Sequence, residues 1–295
     1  MTSNGDGADA GLQPGTNTVG SVLRLSTEHL AAKGSETPRL DAERLLAKAL
    51  DLERIELYMA IDRPLTSPEL DAARALVSRR AKREPLQYVL GEWGFRRLTL
   101  TVDRRALIPR PETEVLVERA LALLVGIDRP RVLDVGTGSG AIALAIADEH
   151  PGAVITGLDS SEDALALAAE NAAHTGFVVE WVRGDLFQRL PDGPWDLIVS
   201  NPPYVDGADL PALEPEVRDW EPHEALSADG AVEAVSRGAV DVLRGGGGFA
   251  VEVGAGQTGS TAALLQQLGF DEVRVTADLR GIDRVVEGLL GAQRR

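Results

Sequence analysis

The sequence predicts an α/β protein in which one parallel sheet with its helices follows a small N-terminal helical bundle. From residue 131 onward, short apolar runs of strand length alternate with helical stretches, which is typical of βαβ units. Before residue 85, apolar residues recur at helical spacing, as in the stripe of Ala42, Leu45, Leu46, Ala49 and Leu50. Two architectures of different periodicity in a chain of 295 residues indicate two domains.

These patterns divide the chain into four segments. Residues 1–17, rich in Gly, Asp, Asn and Thr, are expected to form a disordered tail. Residues 18–90 form the helical domain, in which the Thr-Ser-Pro-Glu sequence at 66–69 resembles a capping box that opens a helix. Residues 91–106 alternate between apolar and polar side chains, as a hairpin or an extended linker would. The α/β domain occupies residues 107–295, and its strand-to-helix turns are expected to open on the carboxyl edge of one sheet.

Composition excludes several classes of site. The chain contains no cysteine and only four scattered histidines, so disulfides, thiolate nucleophiles and cysteine-bound metals are excluded and no metal site is expected. No stretch approaches the length of a membrane span, and the N-terminal residues lack the cationic start and the apolar segment of a signal peptide. We therefore expect a cytoplasmic, monomeric protein that does not bind a membrane.

The net charge of −16 lies in the second part of the chain. Residues 1–100 hold 14 basic and 14 acidic side chains, whereas residues 101–295 hold 16 and 32. An acidic domain repels phosphate backbones, so no stable nucleic-acid partner is expected. The most basic stretch, Arg79–Arg83, is interpreted either as a solvated helix end or as a docking patch for an acidic partner. Arg110 is interpreted either as a surface charge or as an anchor to a carboxylate of the α/β domain.

A glycine-rich turn begins the α/β domain. The apolar strand Arg131–Val135 is followed at once by Gly136, Thr137, Gly138, Ser139 and Gly140, and then by a helix from Ala141 to Asp148. Strand, glycine turn and helix form a unit that cradles nucleotides, because glycines let the backbone approach a ligand and the helix N-terminus offers free N–H groups. A dinucleotide fingerprint would place its third glycine one position later. The observed spacing instead resembles the S-adenosylmethionine loop of class I methyltransferases.

Two later turns carry acidic residues. Asp159 ends the second predicted strand, where a carboxylate can bind both ribose hydroxyls, although it could also cap the following helix. After a predicted strand over Val178–Val182, the carboxylate of Asp185 or the backbone N–H that follows it could meet the adenine edge, and Leu186 could cover the adenine face. An exposed turn aspartate is the alternative interpretation of Asp185.

The loop Asn201-Pro202-Pro203-Tyr204 follows the apolar strand Trp195–Ser200. Its two prolines supply no N–H, so the loop offers carbonyl oxygens and an asparagine amide as acceptors for a planar N–H donor. Ordinary turn chemistry is the alternative. The run Gly245–Gly248 is expected to be a flexible turn that enters the next strand.

Residues 20–290 resemble the bacterial HemK/PrmC family, the peptide chain release factor N5-glutamine methyltransferases. The matching motifs are Pro85-Leu86-Gln87-Tyr88 with Gly91, Leu107–Glu114, Asp134–Gly140, Asn201–Tyr204, Glu221-Pro222 with Ala225-Leu226, and Gly281-Ile282-Asp283-Arg284. The chain departs from the family pattern at His223, where the family usually has arginine, and at Ser227-Ala228, where it usually has two glycines.

The resemblance implies a class I, Rossmann-like S-adenosylmethionine-dependent methyltransferase that methylates class 1 release factors and so affects translation termination. It implies that residues 136–140, Asp159, Leu186 and Asn201 bind S-adenosylmethionine, whose product is S-adenosylhomocysteine, and Asp185 belongs to the same predicted site. It also implies that residues 201–204 hold the substrate glutamine. Within that loop we expect Asn201, Pro202 and Tyr204 to be the catalytic residues. We expect the helical domain, residues 18–90, to recognise the protein substrate, because it carries no cofactor motif and contains the basic helix end.

Two hypotheses from other classes stay open. A nucleic-acid N6-adenine methyltransferase would use the same amino-group cradle but would need a basic groove and a flipped base. A non-enzymatic S-adenosylmethionine-binding module would not need the acceptor Asn201. Acidity argues against the first alternative, and the Asn-Pro-Pro-Tyr loop argues against the second.

Overall fold

The computed structural model describes residues 17–291. Their contacts divide the chain into two compact units, the first ending at Leu90 and the second beginning at Gly91. The tail predicted over residues 1–17 lies outside the described residues except for Asn17. Asn17 is buried, and its carbonyl oxygen accepts a hydrogen bond from Leu65 N at 2.8 Å. Within the described range, no helix combines the length and the apolar character that crossing a membrane requires.

The first unit is helical. It contains α1 (Val19–Ala32), α2 (Pro38–Leu50), α3 (Arg54–Met59), α4 (Ser67–Arg80) and α5 (Leu86–Leu90). The predicted capping box is confirmed, because Glu69 Oε2 accepts from the backbone N–H of Thr66 at 2.8 Å, at the start of α4. The predicted apolar stripe of α2 is also confirmed, with Leu45 and Leu46 fully buried in the core of this unit.

The basic stretch at the end of α4 is partly internal. Arg80 is buried, and its Nε atom lies 2.7 Å from Oδ2 of Asp41, which is buried in α2. Arg79 contacts both carboxylate oxygens of Glu84. The solvated-end interpretation is therefore wrong for Arg80, whose charge is neutralised within the unit. A docking role for the whole stretch remains a prediction.

The second unit has seven strands in one sheet. Its elements are the hairpin β1 (Glu92–Phe95) and β2 (Leu98–Thr101), then α6 (Pro111–Leu123), β3 (Arg131–Val135), α7 (Ala141–Glu149), β4 (Val154–Asp159), α8 (Glu162–Thr175), β5 (Glu180–Arg183), β6 (Trp195–Ser200), a 3₁₀ turn (Leu210–Ala212), α9 (Pro215–Arg218), α10 (His223–Leu226), α11 (Ala231–Val242), β7 (Leu243–Glu252), α12 (Thr258–Gln267), β8 (Phe270–Ala277) and β9 (Asp283–Leu290). The order in the sheet is β5-β4-β3-β6-β7-β9-β8, and β3 to β7 run parallel.

The end of the sheet differs from a fully parallel arrangement. Strand β9 lies between β7 and β8 and is antiparallel to both. Only residues 278–282 connect β8 to β9, which is too short for the crossover helix that parallel neighbours need. The sheet is therefore mixed, and the expectation of one parallel sheet is wrong at this end.

The predicted glycine turn is wrong. Residues 245–248 lie within β7, where the pairing with β6 shifts from Trp195 opposite Leu243 to Leu197 opposite Gly248. Gly246 takes up the extra length with φ of +77°, a conformation that glycine adopts without strain. The run is therefore a bulge within β7: Leu243 and Gly248 pair with β6, and residues 244–247 have no partner in that strand. Strand β5 also begins at Glu180, later than the predicted Val178.

Both faces of the sheet are buried. Neighbouring residues of one strand enter different cores, since Val132 packs with Leu116 and Leu144, whereas Leu133 packs with Val235 and Phe249. The connections leave β3 toward β4 on one side, and β6 lies on the other side of β3. Such a reversal of strand order opens a crevice at the carboxyl ends of the strands, where open α/β sheets bind ligands.

Candidate active site

A cavity of about 350 Å³ lies at this crevice. Four of its walls are turns that follow β3, β4, β5 and β6, and two further segments, residues 105–110 and residues 222–228, contribute to the lining. Of the predicted site residues, the cavity brings together Gly136, Thr137, Gly138, Ser139, Asp159, Asp185, Leu186, Asn201 and Pro203. The predicted convergence of four turns on one edge is thus confirmed. Three of the predicted residues, Gly140, Pro202 and Tyr204, are not part of the lining.

The glycine loop has a backbone that only glycine adopts easily. Gly136 and Gly138 have φ of +74° and +55°, and a side chain added at Gly136 would project into open space. The N–H groups of Gly136 and Thr137 donate to the carbonyl of Leu158 at 2.8 and 2.9 Å. Gly140 has another role, because a Cβ there would lie 3.0 Å from the ring of Trp181. Because Gly140 has no side chain, α7 can begin in close contact with the ring of Trp181.

Two buried polar side chains support the loop. Asp134 accepts from the hydroxyl of Thr137 at 2.6 Å, and burial raises the pKa of Asp134 to about 7. Asn171, fully buried in α8, donates to the carbonyl of Ser139 at 3.0 Å. Asn171 also accepts from the N–H of Thr101 at 2.7 Å and donates to the same residue's carbonyl at 3.1 Å. One asparagine therefore ties the hairpin to the glycine loop.

Asp159 lies at the end of β4, beside the loop. Its Oδ2 atom accepts from Gly138 N at 2.8 Å, and its Oδ1 atom accepts from Ser161 N at 2.9 Å. Burial raises the pKa of Asp159, while these backbone hydrogen bonds lower it. The N-cap of α8 is Ser161, whose hydroxyl accepts from Ala164 N at 3.2 Å. The helix-cap interpretation of Asp159 is therefore wrong, and the ribose assignment remains a prediction.

Asp185 and Leu186 also line the cavity. Asp185 Oδ1 accepts from the N–H of Phe187 at 2.9 Å, which is the local bonding expected of a turn aspartate. Asp185 still lines the cavity, so a turn role and a contact with adenine are compatible. Phe187, which the sequence analysis does not identify, is half exposed and adds an aromatic ring to this wall.

Asn201 is held by its amide nitrogen. Its Nδ2 atom donates to Oγ1 of Thr113 at 3.1 Å, and no group in residues 17–291 donates to its Oδ1 atom. Pro202 is buried beneath it, and Pro203 lines the cavity. The acceptor end of the Asn201 amide is therefore left for a ligand.

The side chain of Tyr204 contacts Glu252 and is not part of the cavity lining. Its hydroxyl lies 3.3 Å from Oε1 of Glu252, and its carbonyl accepts from Gln257 Nε2 at 3.1 Å. Burial raises the pKa of Tyr204 to about 12, and the charge of Glu252 adds to that shift. The catalytic role expected of Tyr204 remains a prediction.

Glu221 and Trp220 both contact the segment of residues 104–110, most of which lines the cavity. Glu221 is buried, contacts the guanidinium of Arg110, and accepts from Ile108 N at 3.1 Å. Trp220 lies under Arg104, with 4.2 Å between the guanidinium carbon and the ring centre. We call residues 104–110 the wall segment. The anchor interpretation of Arg110 is confirmed.

The two departures from the family pattern lie beside this wall. His223 Nε2 lies 2.7 Å from the carbonyl of Arg218, and Ser227 and Ala228 both line the cavity. Their larger side chains take space that glycine would leave free. In the part of the chain that is described, no group of three or more His, Cys, Asp or Glu side chains could hold a metal ion.

Sequence reasoning missed Thr113, Glu221 and Glu252. Thr113 and Glu221 stand within quoted motifs, but the partners that give them meaning are 88 and 111 residues away in the chain. No local signal marks Glu252, which ends a buried strand.

Comparison with known proteins agrees with this geometry. The family model of the PrmC N-terminal domain matches residues 21–91, and that of the methyltransferase small domain matches residues 112–278. The release factor glutamine methyltransferase of Geobacter sulfurreducens is 45% identical over 278 residues, which cover 93% of this chain and 97% of the relative. The same-named protein of Chlorobaculum tepidum is 40% identical over 281 residues, covering 90% and 95%.

A solved structure supports the fold. The catalytic domain of hMettl16, in complex with a MAT2A 3'UTR hairpin, matches with a TM-score of 0.53 and covers 72% of this chain and 81% of its own. At 18% sequence identity, this likeness concerns the fold alone. The two family models and the close relatives together show that the chain belongs to the release factor glutamine methyltransferase family, with the class I S-adenosylmethionine-dependent methyltransferase fold.

Proposed function

We propose that this protein transfers a methyl group from S-adenosylmethionine to the side-chain amide nitrogen, N5, of a glutamine in class 1 peptide chain release factors. The observation that carries the proposal is the fixed Asn201 amide, whose nitrogen is bonded to Thr113 while its oxygen is left for a ligand. Membership of the family supports the choice of substrate.

The cavity residues fit the cofactor. Gly136 offers space where a side chain would project, and the carboxylate of Asp159 lies where two ribose hydroxyls could be bound. Leu186 and Phe187 supply apolar surface suited to an adenine ring. Carboxylates of Asp159 and Glu224 in the lining favour a ligand with a positively charged sulfonium. When bound, S-adenosylmethionine supplies an activated methyl group on that sulfonium.

The protein must act on a weak nucleophile. The nitrogen lone pair of a glutamine amide is delocalised into its carbonyl, so the nitrogen has to be aimed and its rehybridisation favoured. Asn201 Oδ1 and the carbonyl of Pro202 can accept the two amide hydrogens, which orients the nitrogen and stabilises positive charge as it develops there. No strong base is needed at that stage, since a proton leaves only after methyl transfer.

The charges around the cavity argue against a nucleic-acid substrate. Arg105 is engaged by Asp103 at 2.8 Å and by Glu170 at 2.7 Å, and Arg110 is engaged by Glu221. Both cations that line the cavity are thus neutralised by neighbouring carboxylates and offer little attraction to phosphates.

The proposal also covers which unit recognises the release factor and where the enzyme acts. We assign recognition of the release factor to the first unit, because it carries no part of the cofactor cavity. Since release factors act in translation, the reaction is expected in the cytoplasm, with the enzyme as a monomer.

The test is incubation of the full chain with methyl-labelled S-adenosylmethionine and, in parallel, release factor, tRNA or duplex DNA. We expect label on release factor alone. The labelled glutamine is located by mass spectrometry and replaced by glutamate in a control substrate, which should take up no label. Asn201→Ala should lower kcat by about 10²-fold, the scale for losing a preorganised electrostatic partner. Label on nucleic acid, or near-normal turnover by Asn201→Ala with cofactor binding intact, would contradict the proposal.

A further inference from the structure

The acceptor role of Asn201 depends on which end of its amide faces the substrate. Oδ1 accepts hydrogen bonds and Nδ2 donates them, and a half-turn about the last side-chain bond exchanges the two with almost no change in shape. A flipped amide would meet the substrate N–H groups donor to donor. Some neighbouring group must therefore select one orientation.

Thr113 contacts the donor end. Its Oγ1 atom accepts from Asn201 Nδ2 at 3.1 Å, and Thr113 is buried in the first turn of α6. A hydroxyl both donates and accepts, so it could also hold a flipped amide by donating to Oδ1. The contact with Thr113 alone does not define the orientation.

The carboxylate of Glu252 removes this ambiguity. Burial raises the pKa of the Glu252 carboxyl, and the nearby hydroxyls of Thr113 and Tyr204 and the charge of Arg284 offset that rise in part. The Tyr204 hydroxyl donates a hydrogen bond to Oε1 of Glu252 at 3.3 Å. In the described range, no residue gives the buried Oε2 atom a hydrogen bond of standard geometry. Oε2 of Glu252 is therefore free to accept a hydrogen bond from the Thr113 hydroxyl. Because a carboxylate only accepts, a hydroxyl that donates to it presents its lone pairs to Asn201.

We propose that Thr113 and Glu252 are positioning residues that set the polarity of the Asn201 amide. The hydrogen bonds run in one direction, from the Asn201 amide to the Thr113 hydroxyl and from that hydroxyl to the carboxylate. Glu252 is not part of the cavity lining, so it acts through Thr113 and without touching the substrate. This inference rests on the proposed function, because orientation matters only if Oδ1 binds the reacting amide.

A kinetic cycle tests the proposal. Thr113→Val removes the hydroxyl at nearly constant shape and should lower kcat about tenfold or more with KM changed less than about threefold, whereas Thr113→Ser should keep kcat within about threefold. In the Asn201→Asp background the two side-chain oxygens are equivalent, so Thr113→Val should cost less than about threefold there. An equal cost in both backgrounds would show a merely structural role and overturn the proposal.

A second measurement requires no substrate. In NMR spectra of the full chain, the side-chain NH₂ of Asn201, assigned by its loss in Asn201→Asp, should show a nuclear Overhauser contact with the Thr113 methyl group. Glu252→Gln keeps the shape but can donate to Thr113, and it should weaken that contact. A contact that is absent in the wild type, or unchanged in Glu252→Gln, would overturn the proposal. A wild type that shows the contact yet methylates no release factor contradicts the proposed function instead.

Discussion

Arg110→Met removes the charge that fastens the wall segment. Glu221 is 1% exposed and Arg110 is 28% exposed, so the change leaves a buried carboxylate with one remaining partner, the N–H of Ile108. Breaking a buried pair from one side costs about 3–5 kcal/mol. Because the Arg110 side chain is partly solvated and Glu221 keeps one hydrogen bond, we expect a loss of about 1–2 kcal/mol in the free energy of unfolding.

The loss should be visible in thermal unfolding. For a unit of this size, 1 kcal/mol shifts Tm by about 2–4 °C, so we expect Arg110→Met to lower Tm by about 2–8 °C. Trp220 adjoins Glu221 and contacts Arg104, so its fluorescence reports on the same region. Calorimetry should show weaker S-adenosylmethionine binding, because residues 105–110 line the cavity.

Two variants serve as controls. Arg218→Met removes an exposed pair with Asp219 on the same side of the unit and should leave Tm unchanged. Adding Glu221→Gln to Arg110→Met removes the stranded charge, so the double variant should lose less stability than the two single variants together. Additive losses, or an unchanged Tm in Arg110→Met, would refute the reasoning that the pair is a buried clamp.

Three further predictions follow from the site and from the two-unit architecture. Asp159→Ala should weaken S-adenosylmethionine binding by about 1–3 kcal/mol through lost hydrogen bonds to a charged group, and unchanged affinity by calorimetry would rule out the ribose assignment. A protein that begins at Glu92 keeps the second unit and its core, so it should bind S-adenosylmethionine normally but methylate release factor poorly; methylation at the full rate would contradict a recognition role for the first unit. Size-exclusion chromatography with light scattering should give the mass of one chain, 31.3 kDa, and a dimer mass would refute the monomer expectation.

Local patterns predicted the elements and the turns of the site. The apolar runs Arg131–Val135 and Trp195–Ser200 both form strands with the predicted bounds. Gly136 and Asp159 could be found because the constraint is local, namely a glycine turn after one strand and an acid at the tip of the next. Such constraints remain visible in a single sequence.

The sequence alone does not show contacts between distant segments of the chain. The role of Glu221 depends on Arg110 and Ile108, and that of Glu252 depends on Thr113 and Tyr204. Each partner comes from a different element, so no spacing rule connects them. The turn expected at residues 245–248 is instead a bulge within β7, because Leu243 before it and Gly248 at its end both pair with β6, a contact between distant segments.

The bonding of the glycine loop bears on how the enzyme responds to its own product. Backbone groups of residues 136–139 are bonded to Leu158, Asp159 and Asn171, so the shape of the loop is fixed by the protein. A preorganised loop loses little conformational entropy on binding, and affinity then comes from the adenosine and amino-acid moieties. S-adenosylhomocysteine carries both moieties and lacks only the transferred methyl group and the positive charge. The product should therefore compete strongly for the cavity, and turnover should follow the ratio of the two compounds.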